Sequence, residues 1–212
     1  MLKVDSIVFN PVMENTYIVS YPSGKCAIID PGCYFPEEQE RLSNFISGNS
    51  LTPVLLLNTH CHLDHVFGNK YIAETFGLEL HIHPEEEKML EMAPASGLMY
   101  NLPFNSYVGK INYLTPGHPI LLEDEKINVL FTPGHSPGSV SFYYSVDNFV
   151  ISGDALFAGS IGRTDLPFGD QDTLLNSIKR ELLSLPLDTI VYSGHGPSTT
   201  IGEEIKTNPF LN

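Results

Sequence analysis

The chain has 212 residues, of which 42% are apolar and 17% charged, and its formal net charge is −14. That length matches one globular domain able to bury roughly 70% of its unfolded surface, so we predict a single domain over residues 1–212 with room for a core and a pocket. The negative charge repels phosphate backbones and therefore disfavours a nucleic-acid partner or a nuclease activity.

The three cysteines, Cys26, Cys33 and Cys61, cannot all pair internally, and their spacing is not that of a disulfide framework. Residues 1–10 lack the apolar stretch of a signal peptide, and no segment is apolar over the length that spans a membrane. We therefore expect a cytoplasmic protein with no membrane partner. The sequence leaves its oligomeric state open.

The first half of the chain alternates short apolar runs with segments of helical periodicity. The runs that predict strands are residues 2–9, 16–20, 26–29, 54–57 and 80–82. The segments that predict helices are residues 37–46, residues 69–76 and a short helix from Glu85 that follows Pro84. The turn signal Tyr21-Pro-Ser-Gly makes the opening strands an antiparallel meander.

The second half repeats this alternation after a long segment, residues 89–119, that is poor in periodicity. We interpret that segment as a pocket wall or lid, a subunit contact or a packed surface loop. Strands are predicted at residues 127–131, 140–144, 149–152 and 188–192. The clearest helix covers residues 172–183, and Asp172 is expected to cap it. Two sheet-forming halves with helices predict a layered α/β domain.

The segment Asn-Thr-His-Cys-His-Leu-Asp-His at residues 58–65 directly follows an apolar strand. In an extended backbone, His60 and His62 point to one side while Cys61 points away. Asp64 and His65 follow after a turn, which adds a carboxylate and an imidazole close by. Imidazole with carboxylate suits a borderline divalent metal and leaves coordination positions for water.

Three later loops each place one ligand-type residue among small residues just after a predicted strand. They are Thr132-Pro-Gly-His135-Ser-Pro-Gly, Ser152-Gly-Asp154 and Ser193-Gly-His195-Gly. Small neighbours leave room for metal and substrate, so these loops and the His-rich segment predict one common metal site.

These motifs resemble, in kind and order, those of the metallo-β-lactamase superfamily, and the resemblance covers nearly the whole chain. It implies a four-layer αβ/βα sandwich with the site at the edge of the two sheets. It also implies two divalent metal ions, zinc or else iron or manganese. One ion takes His60, His62 and His135, the other takes Asp64, His65 and His195, and Asp154 bridges them. Asp64 and Asp154 are thereby the expected catalytic carboxylates.

Other polar residues are assigned more conservatively. Asp30, in Ile-Asp-Pro-Gly, matches a further motif of the superfamily and either orients the site from behind the ligands or only forms a turn. His81, His83 and His118 are interpreted as structural or surface histidines. Cys61 is expected to pack behind the ligands as a small apolar filler.

A metal site of this kind lowers the pKa of bound water toward about 7 and stabilises an oxyanion, so we predict hydrolysis of an acyl bond in a small-molecule substrate. Residues 153–165 look like the corresponding stretch of glyoxalase II, which hydrolyses glutathione thioesters. That resemblance implies a hydroxyacylglutathione as substrate, with Arg163 as a bidentate clamp for a carboxylate or else as a plain surface residue. Full-length glyoxalase II carries a further C-terminal helical domain that completes its glutathione site, so another acyl substrate stays open.

Two alternatives share the motifs. Persulfide dioxygenases, which use one iron and oxygen, resemble this chain in both His-x-Cys-His-x-Asp-His and Gly-Arg-Thr-Asp, although the following residues 166–170 look closer to glyoxalase II. A non-enzymatic metal-binding protein is the other alternative, and the presence of all seven ligand-type residues disfavours it. A β-lactamase is disfavoured because residues 1–10 do not read as a signal peptide.

Overall fold

A computed structural model describes residues 1–211, which form two six-stranded sheets with helices against them. The strands are β1 Lys3–Phe9, β2 Glu14–Ser20, β3 Lys25–Ile29, β4 Thr52–Leu57, β5 Leu80–Ile82, β6 Ile111–Tyr113, β7 Ile120–Leu122, β8 Glu125–Phe131, β9 Val140–Tyr144, β10 Phe149–Gly153, β11 Leu156–Phe157, β12 Ser160–Ile161, β13 Ile190–Ser193 and β14 Thr199–Thr200. The helices are α1 Pro36–Gly48, α2 Leu63–Val66, α3 Asn69–Phe76, α4 Glu87–Met99, α5 Gln171–Ser177 and α6 Ile201–Thr207.

The two sheets have related but not identical topologies. The first has the order β1-β2-β3-β4-β5-β6, antiparallel from β1 to β3 and parallel from β3 to β6. The second has the order β14-β13-β10-β9-β8-β7, and its one parallel pair is β10 with β13. β11 and β12 form a separate small hairpin. Parallel neighbours bring their carboxyl ends to the same edge, which is where ligands commonly bind.

Side-chain alternation along the strands produces the layers. In β3, Ala27 and Ile29 belong to the apolar cluster that both sheets share, whereas Cys26 and Ile28 belong to the cluster under α1, α3 and α4. The outer face of the second sheet packs on α5 and α6 through a third cluster that includes Val191. Because strand residues alternate between faces, one sequence supplies both cores. The predicted four-layer αβ/βα sandwich is confirmed.

Two sequence-based expectations about helices are wrong. Asp170, not Asp172, caps α5, because its side chain accepts a hydrogen bond from the Thr173 amide at 2.7 Å. The helix also changes to π geometry over Ile178–Leu182, so the predicted segment 172–183 is not one regular helix. The Asp172 position lies inside the first turn, where an acidic residue favours the helix dipole but does not cap.

The segment 89–119 is less irregular than its sequence indicates. Its first part continues α4 to Met99 even though Pro94 lies inside that helix, and its later part supplies the short edge strand β6. A proline interrupts helical periodicity and removes a hydrogen-bond donor, which explains why the pattern hid the helix. Within residues 1–211 no helix combines the length and the apolar character needed to cross a bilayer.

Candidate metal centre

The candidate ligands follow strands that end at a common edge. His60 and His62 come after β4, Asp64 and His65 lie in the single turn of α2, and the other three occupy later loops. His135 lies between β8 and β9, Asp154 follows β10 and His195 follows β13. The fold thus brings together residues that are more than a hundred positions apart in sequence.

One cluster, called the first half-site, consists of His60, His62 and His135. Each contributes one ring nitrogen to a set whose members all lie within 4.8 Å of one another. His62 Nδ1 and His135 Nε2 are 2.8 Å apart, and the rings of His60 and His62 are perpendicular, with centroids 4.8 Å apart. Three imidazoles that face one point form a donor set suited to zinc or a similar divalent ion.

The second half-site consists of Asp64, His65 and His195, whose candidate ligand atoms also lie within 4.8 Å of one another. His195 Nε2 is 3.2 Å from Asp64 Oδ2, and His65 Nε2 is 3.8 Å from the same oxygen. Two imidazoles and a carboxylate again make a mixed nitrogen and oxygen donor set.

Asp154 lies between the half-sites. Its Oδ2 is 3.5 Å from His135 Nε2 and 3.6 Å from His195 Nε2, while its Oδ1 is 3.4 Å from His65 Nε2. One carboxylate therefore faces both clusters, as a bridging ligand would.

Three buried atoms of the centre lack any hydrogen-bond partner: His60 Nε2, His65 Nε2 and Asp154 Oδ1. Unpaired buried polar atoms are uncommon in folded proteins because each costs desolvation free energy. Their concentration around one point fits a cation that completes their coordination. The residues present therefore fit the divalent metal that their chemistry indicates.

The charge states agree with this fit. Burial lowers the pKa of His60, and neighbouring imidazoles lower it further; burial and His135 lower the pKa of His62 to about 3. Both histidines are therefore neutral at pH 7, which is the form that binds metal. Burial opposes ionisation of Asp154, but protonated His65, whose own pKa Asp154 and Asp64 raise against the effect of burial, outweighs it and lowers the pKa of this carboxyl. A cation bound between them would take the place of that proton and leave His65 neutral.

Glycines make room for the cluster. A Cβ at Gly194 would overlap Asp154 Oδ1 and come within 2.8 Å of the His65 ring. A Cβ at Gly162 would overlap the Asp154 carbonyl oxygen and approach His135 Nδ1 to 3.1 Å. The small residues beside the predicted ligands thus allow close approach of backbone to the centre.

Residues 9–195 match the family profile described as the metallo-beta-lactamase superfamily. The chain belongs to this superfamily. It is 36% identical over 213 residues to hydroxyacylglutathione hydrolase GloC of Haemophilus influenzae, an alignment that covers 100% of this chain and 99% of GloC.

Two solved structures extend the comparison. The B3 metallo-beta-lactamase BLEG-1 has a TM-score of 0.92 and 38% identity, over 99% of this chain and 100% of BLEG-1. The di-iron-bound form of TTHA1623 has a TM-score of 0.88 and 39% identity, over 98% of this chain and 100% of TTHA1623. The superfamily includes relatives of this chain that differ in named activity and bound metal, so fold alone does not define the reaction.

Asp30 is hydrogen-bonded to the segment that carries the candidate ligands His60 to His65. Its Oδ1 accepts hydrogen bonds from the Thr59 amide at 2.7 Å and from Asn58 Nδ2 at 3.2 Å. Its Oδ2 accepts from Thr59 Oγ1 at 2.6 Å and lies 3.1 Å from His65 Nδ1. Asp30 could itself join His60 and His65 around an ion. Because both its oxygens already accept hydrogen bonds, we assign it to orientation of His65.

The turn between β1 and β2 contacts the ligand loops, which the sequence analysis missed. Asn10 Nδ2 donates to the Asp64 carbonyl at 3.1 Å, and the Met13 carbonyl lies 3.2 Å from His195 Nδ1. Asn15 Nδ2 donates to the carbonyls of Ser193 and Gly196, both at 2.9 Å. Asn10 lies in this turn and Asn15 near the start of β2, positions where Asn is common beside turns, so no sequence signal separates them from ordinary turn residues.

Arg163 makes one contact through its backbone and another through its side chain. Its carbonyl accepts a hydrogen bond from His135 Nδ1 at 2.7 Å, which leaves His135 Nε2 facing Asp154. Its exposed guanidinium forms a bidentate ion pair with Asp165, at 2.7 and 2.8 Å. The predicted clamp for a substrate carboxylate is therefore occupied by an internal carboxylate, and it stays a prediction.

The remaining histidines lie outside both half-sites. His83 is buried, stacks on Phe131 with ring centroids 4.8 Å apart and accepts a hydrogen bond from the Glu85 amide. His81 Nδ1 lies 3.2 Å from the Leu56 carbonyl, and His118 is exposed. Cys61 is buried in the cluster under the helices, as expected for a residue that packs behind its neighbours.

Proposed function

We propose that this chain is a dinuclear metallohydrolase that cleaves an acyl bond. The substrate that we propose is the thioester of a hydroxyacylglutathione. The observation that carries the proposal is the pair of half-sites with Asp154 between them, because a shared carboxylate is what two neighbouring cations require. His60, His62 and His135 would hold one ion, and Asp64, His65 and His195 the other.

Divalent ions supply Lewis acidity and lower the pKa of water toward neutrality, which is the chemistry that acyl hydrolysis requires. The protein's part is to hold its ligands deprotonated and correctly turned. Burial keeps His60 and His62 neutral, Asp30 aims the Nε2 atom of His65 toward Asp154, and the Arg163 carbonyl does the same for His135. Such fixed orientation lets the site act without reorganisation during the reaction.

The thioester assignment is supported by the full-length match to GloC. Because BLEG-1 is a metallo-beta-lactamase, a lactam is the substrate against which the thioester should be compared. Because TTHA1623 has a di-iron-bound form, iron is the metal against which zinc should be compared. We propose zinc as the working ion because a donor set of imidazoles and carboxylates without thiolate suits it and hydrolysis needs no redox change. Cys26, Cys33 and Cys61 are unpaired, which fits the proposed cytoplasmic location.

The test is a zinc titration of the chelator-treated protein, followed by assays with a hydroxyacylglutathione, a lactam and glutathione persulfide. We expect two equivalents of zinc per chain and hydrolysis of the thioester in preference to the lactam. Asp154→Ala should lose one or both equivalents together with activity. Asp188→Ala is the control, since Asp188 is an exposed carboxylate outside the centre. A fully active protein with one tightly bound ion would contradict the dinuclear proposal.

A further inference from the structure

Glu86 is a fully buried glutamate that belongs to neither half-site. It ends the 3-10 turn Pro84–Glu86 before α4, and none of its surface is exposed to solvent. Burying an ionisable side chain is costly unless its polar atoms are satisfied. The buried carboxylate of Glu86 therefore needs hydrogen-bond donors around it.

Its two carboxylate oxygens reach two different ligand loops. Oε2 accepts a hydrogen bond from the Cys61 amide at 2.7 Å, between His60 and His62 in the chain. Oε1 accepts from Ser136 Oγ at 2.6 Å and from the Gly138 amide at 2.7 Å, in the loop that carries His135.

We propose that Glu86 is a positioning residue that joins the two loops of the first half-site and sets the spacing of their imidazoles. All three of its hydrogen bonds go to residues beside ligands of that half-site, and none goes to α2 or to the loop of His195, which carry the ligands of the second. Asp30 has the corresponding contact with His65 in the second half-site. Each half-site thus has its own buried carboxylate.

The chemistry of the three contacts requires a carboxylate. Two backbone amides and a hydroxyl all donate, and a carboxylate is the side chain that accepts through both of its oxygens. Glutamine has nearly the same shape, but its amide nitrogen would face a donor from one of the two loops. Burial raises the pKa of Glu86, while its hydrogen bonds to Ser136, Cys61 and Gly138 oppose that shift.

The experiment isolates each half-site in turn and uses zinc alone as the probe, measured by competition with a chelator of known affinity. The proposal rests on the proposed metal centre, so His195→Ala serves as a background in which only the first half-site is complete. His135→Ala serves as the background for the second. Glu86→Gln should weaken zinc binding about 10- to 100-fold in the His195→Ala background, the usual range for partners of metal ligands, and leave it unchanged in the His135→Ala background.

Glu204→Gln is the matched control. Glu204 is equally buried and accepts from the Gly159 amide at 2.9 Å and from Thr199 Oγ1 at 2.6 Å, away from both half-sites. We expect it to lower stability without changing zinc affinity. An equal loss of zinc affinity in Glu204→Gln and Glu86→Gln would overturn the proposal, because it would mean that loosening the fold anywhere has the same effect.

Ser136→Ala provides a second variant if Glu86→Gln does not fold. It removes only the hydroxyl donor to Oε1, so a smaller loss of zinc affinity is expected in the first half-site. If the wild-type chain binds no zinc, the metallohydrolase proposal fails and this one with it. If the wild-type chain binds two equivalents and both variants bind zinc as tightly in either background, the role of Glu86 alone is overturned.

Discussion

The imidazole of His65 lies against the carboxylate of Asp30, with 3.1 Å between Nδ1 and Oδ2, and both side chains are buried. Since a carboxylate accepts hydrogen bonds, this contact places the proton of a neutral His65 on Nδ1 and leaves Nε2 as the atom that faces Asp64 and Asp154. We propose that Asp30 thereby selects the tautomer of His65 that can bind a cation.

Asp30→Asn should therefore weaken the second half-site. The asparagine is isosteric but uncharged, and either its oxygen or its nitrogen must face a mismatched neighbour among Thr59 and His65. In the His135→Ala background we expect about a 10- to 100-fold loss of zinc affinity by chelator competition. In the His195→Ala background the affinity should stay within a few-fold of its starting value. Equal losses of zinc affinity in both backgrounds would show that Asp30 stabilises the whole edge of the sheets and does not act on His65 alone.

His83 allows a test of our interpretation that the remaining histidines have a structural role and do not bind metal. Burial lowers its pKa from 6.5, so the folded protein holds this ring neutral at a pH where the unfolded chain already binds a proton. The unfolded state then takes up more protons, and stability is lost as pH falls through about 6.5. His83→Asn keeps an acceptor for the Glu85 amide but cannot titrate.

The metal-free His83→Asn protein should lose less unfolding free energy than wild type between about pH 7 and 5. Urea unfolding at each pH measures this, and the difference between the two proteins isolates His83 because the other groups are common to both. Zinc content should be unchanged. Loss of a zinc equivalent would reassign His83 to the metal centre.

Arg163→Ala tests substrate binding by the exposed guanidinium. We expect KM for the thioester to rise about tenfold, equivalent to about 1.4 kcal/mol, with little change in kcat, because the side chain would contact substrate equally before and during reaction. Arg180→Ala is the control, since both arginine side chains are 60% exposed and each pairs with an acidic neighbour. Asp165→Ala should lower KM because it releases the guanidinium. An unchanged KM in both Arg163→Ala and Asp165→Ala would make Arg163 an ordinary surface residue.

The sequence predicted the fold because it depends on strong local patterns, and the residues proposed as ligands come together in the structure. Strand alternation around Val140–Tyr144 and the Asn69–Phe76 helix follow directly from hydrophobic periodicity. The seven ligand-type residues lie in short motifs whose spacing is visible without a structure. Hydrophobic periodicity did not predict α4, because Pro94 interrupts the pattern inside a helix that the fold nevertheless contains.

Glu86 and the residues of the first turn that contact the ligand loops could not be predicted, since their contacts join distant segments of the chain. Glu85, Glu86 and Glu87 form an acidic run, yet only Glu86 is buried and only it meets the loops at Cys61 and Ser136. Nothing local distinguishes it from its neighbours. Only the structure shows that the Arg163 guanidinium pairs with Asp165, two residues away, and its binding of a substrate carboxylate stays a prediction.

The choice between hydrolysis and oxygen chemistry depends on the metal, because His60, His62, Asp154 and their neighbours could hold zinc or iron. Zinc has no redox activity, so a hydrolase should work with zinc and without oxygen. We expect chelator-treated protein that is reloaded with zinc to hydrolyse a 2-hydroxyacyl glutathione under anaerobic conditions at the same rate as in air.

A persulfide dioxygenase could not do this, since it consumes oxygen and needs a redox-active ion. The matched assay follows oxygen consumption by the iron-loaded protein with glutathione persulfide, and thioester cleavage is followed in parallel by thiol release. Asp154→Ala should abolish thioester cleavage in the zinc form, which links the activity to the centre rather than to a contaminant. If the zinc form leaves thioesters intact while the iron form consumes oxygen with the persulfide, the hydrolase proposal is wrong and the dioxygenase replaces it.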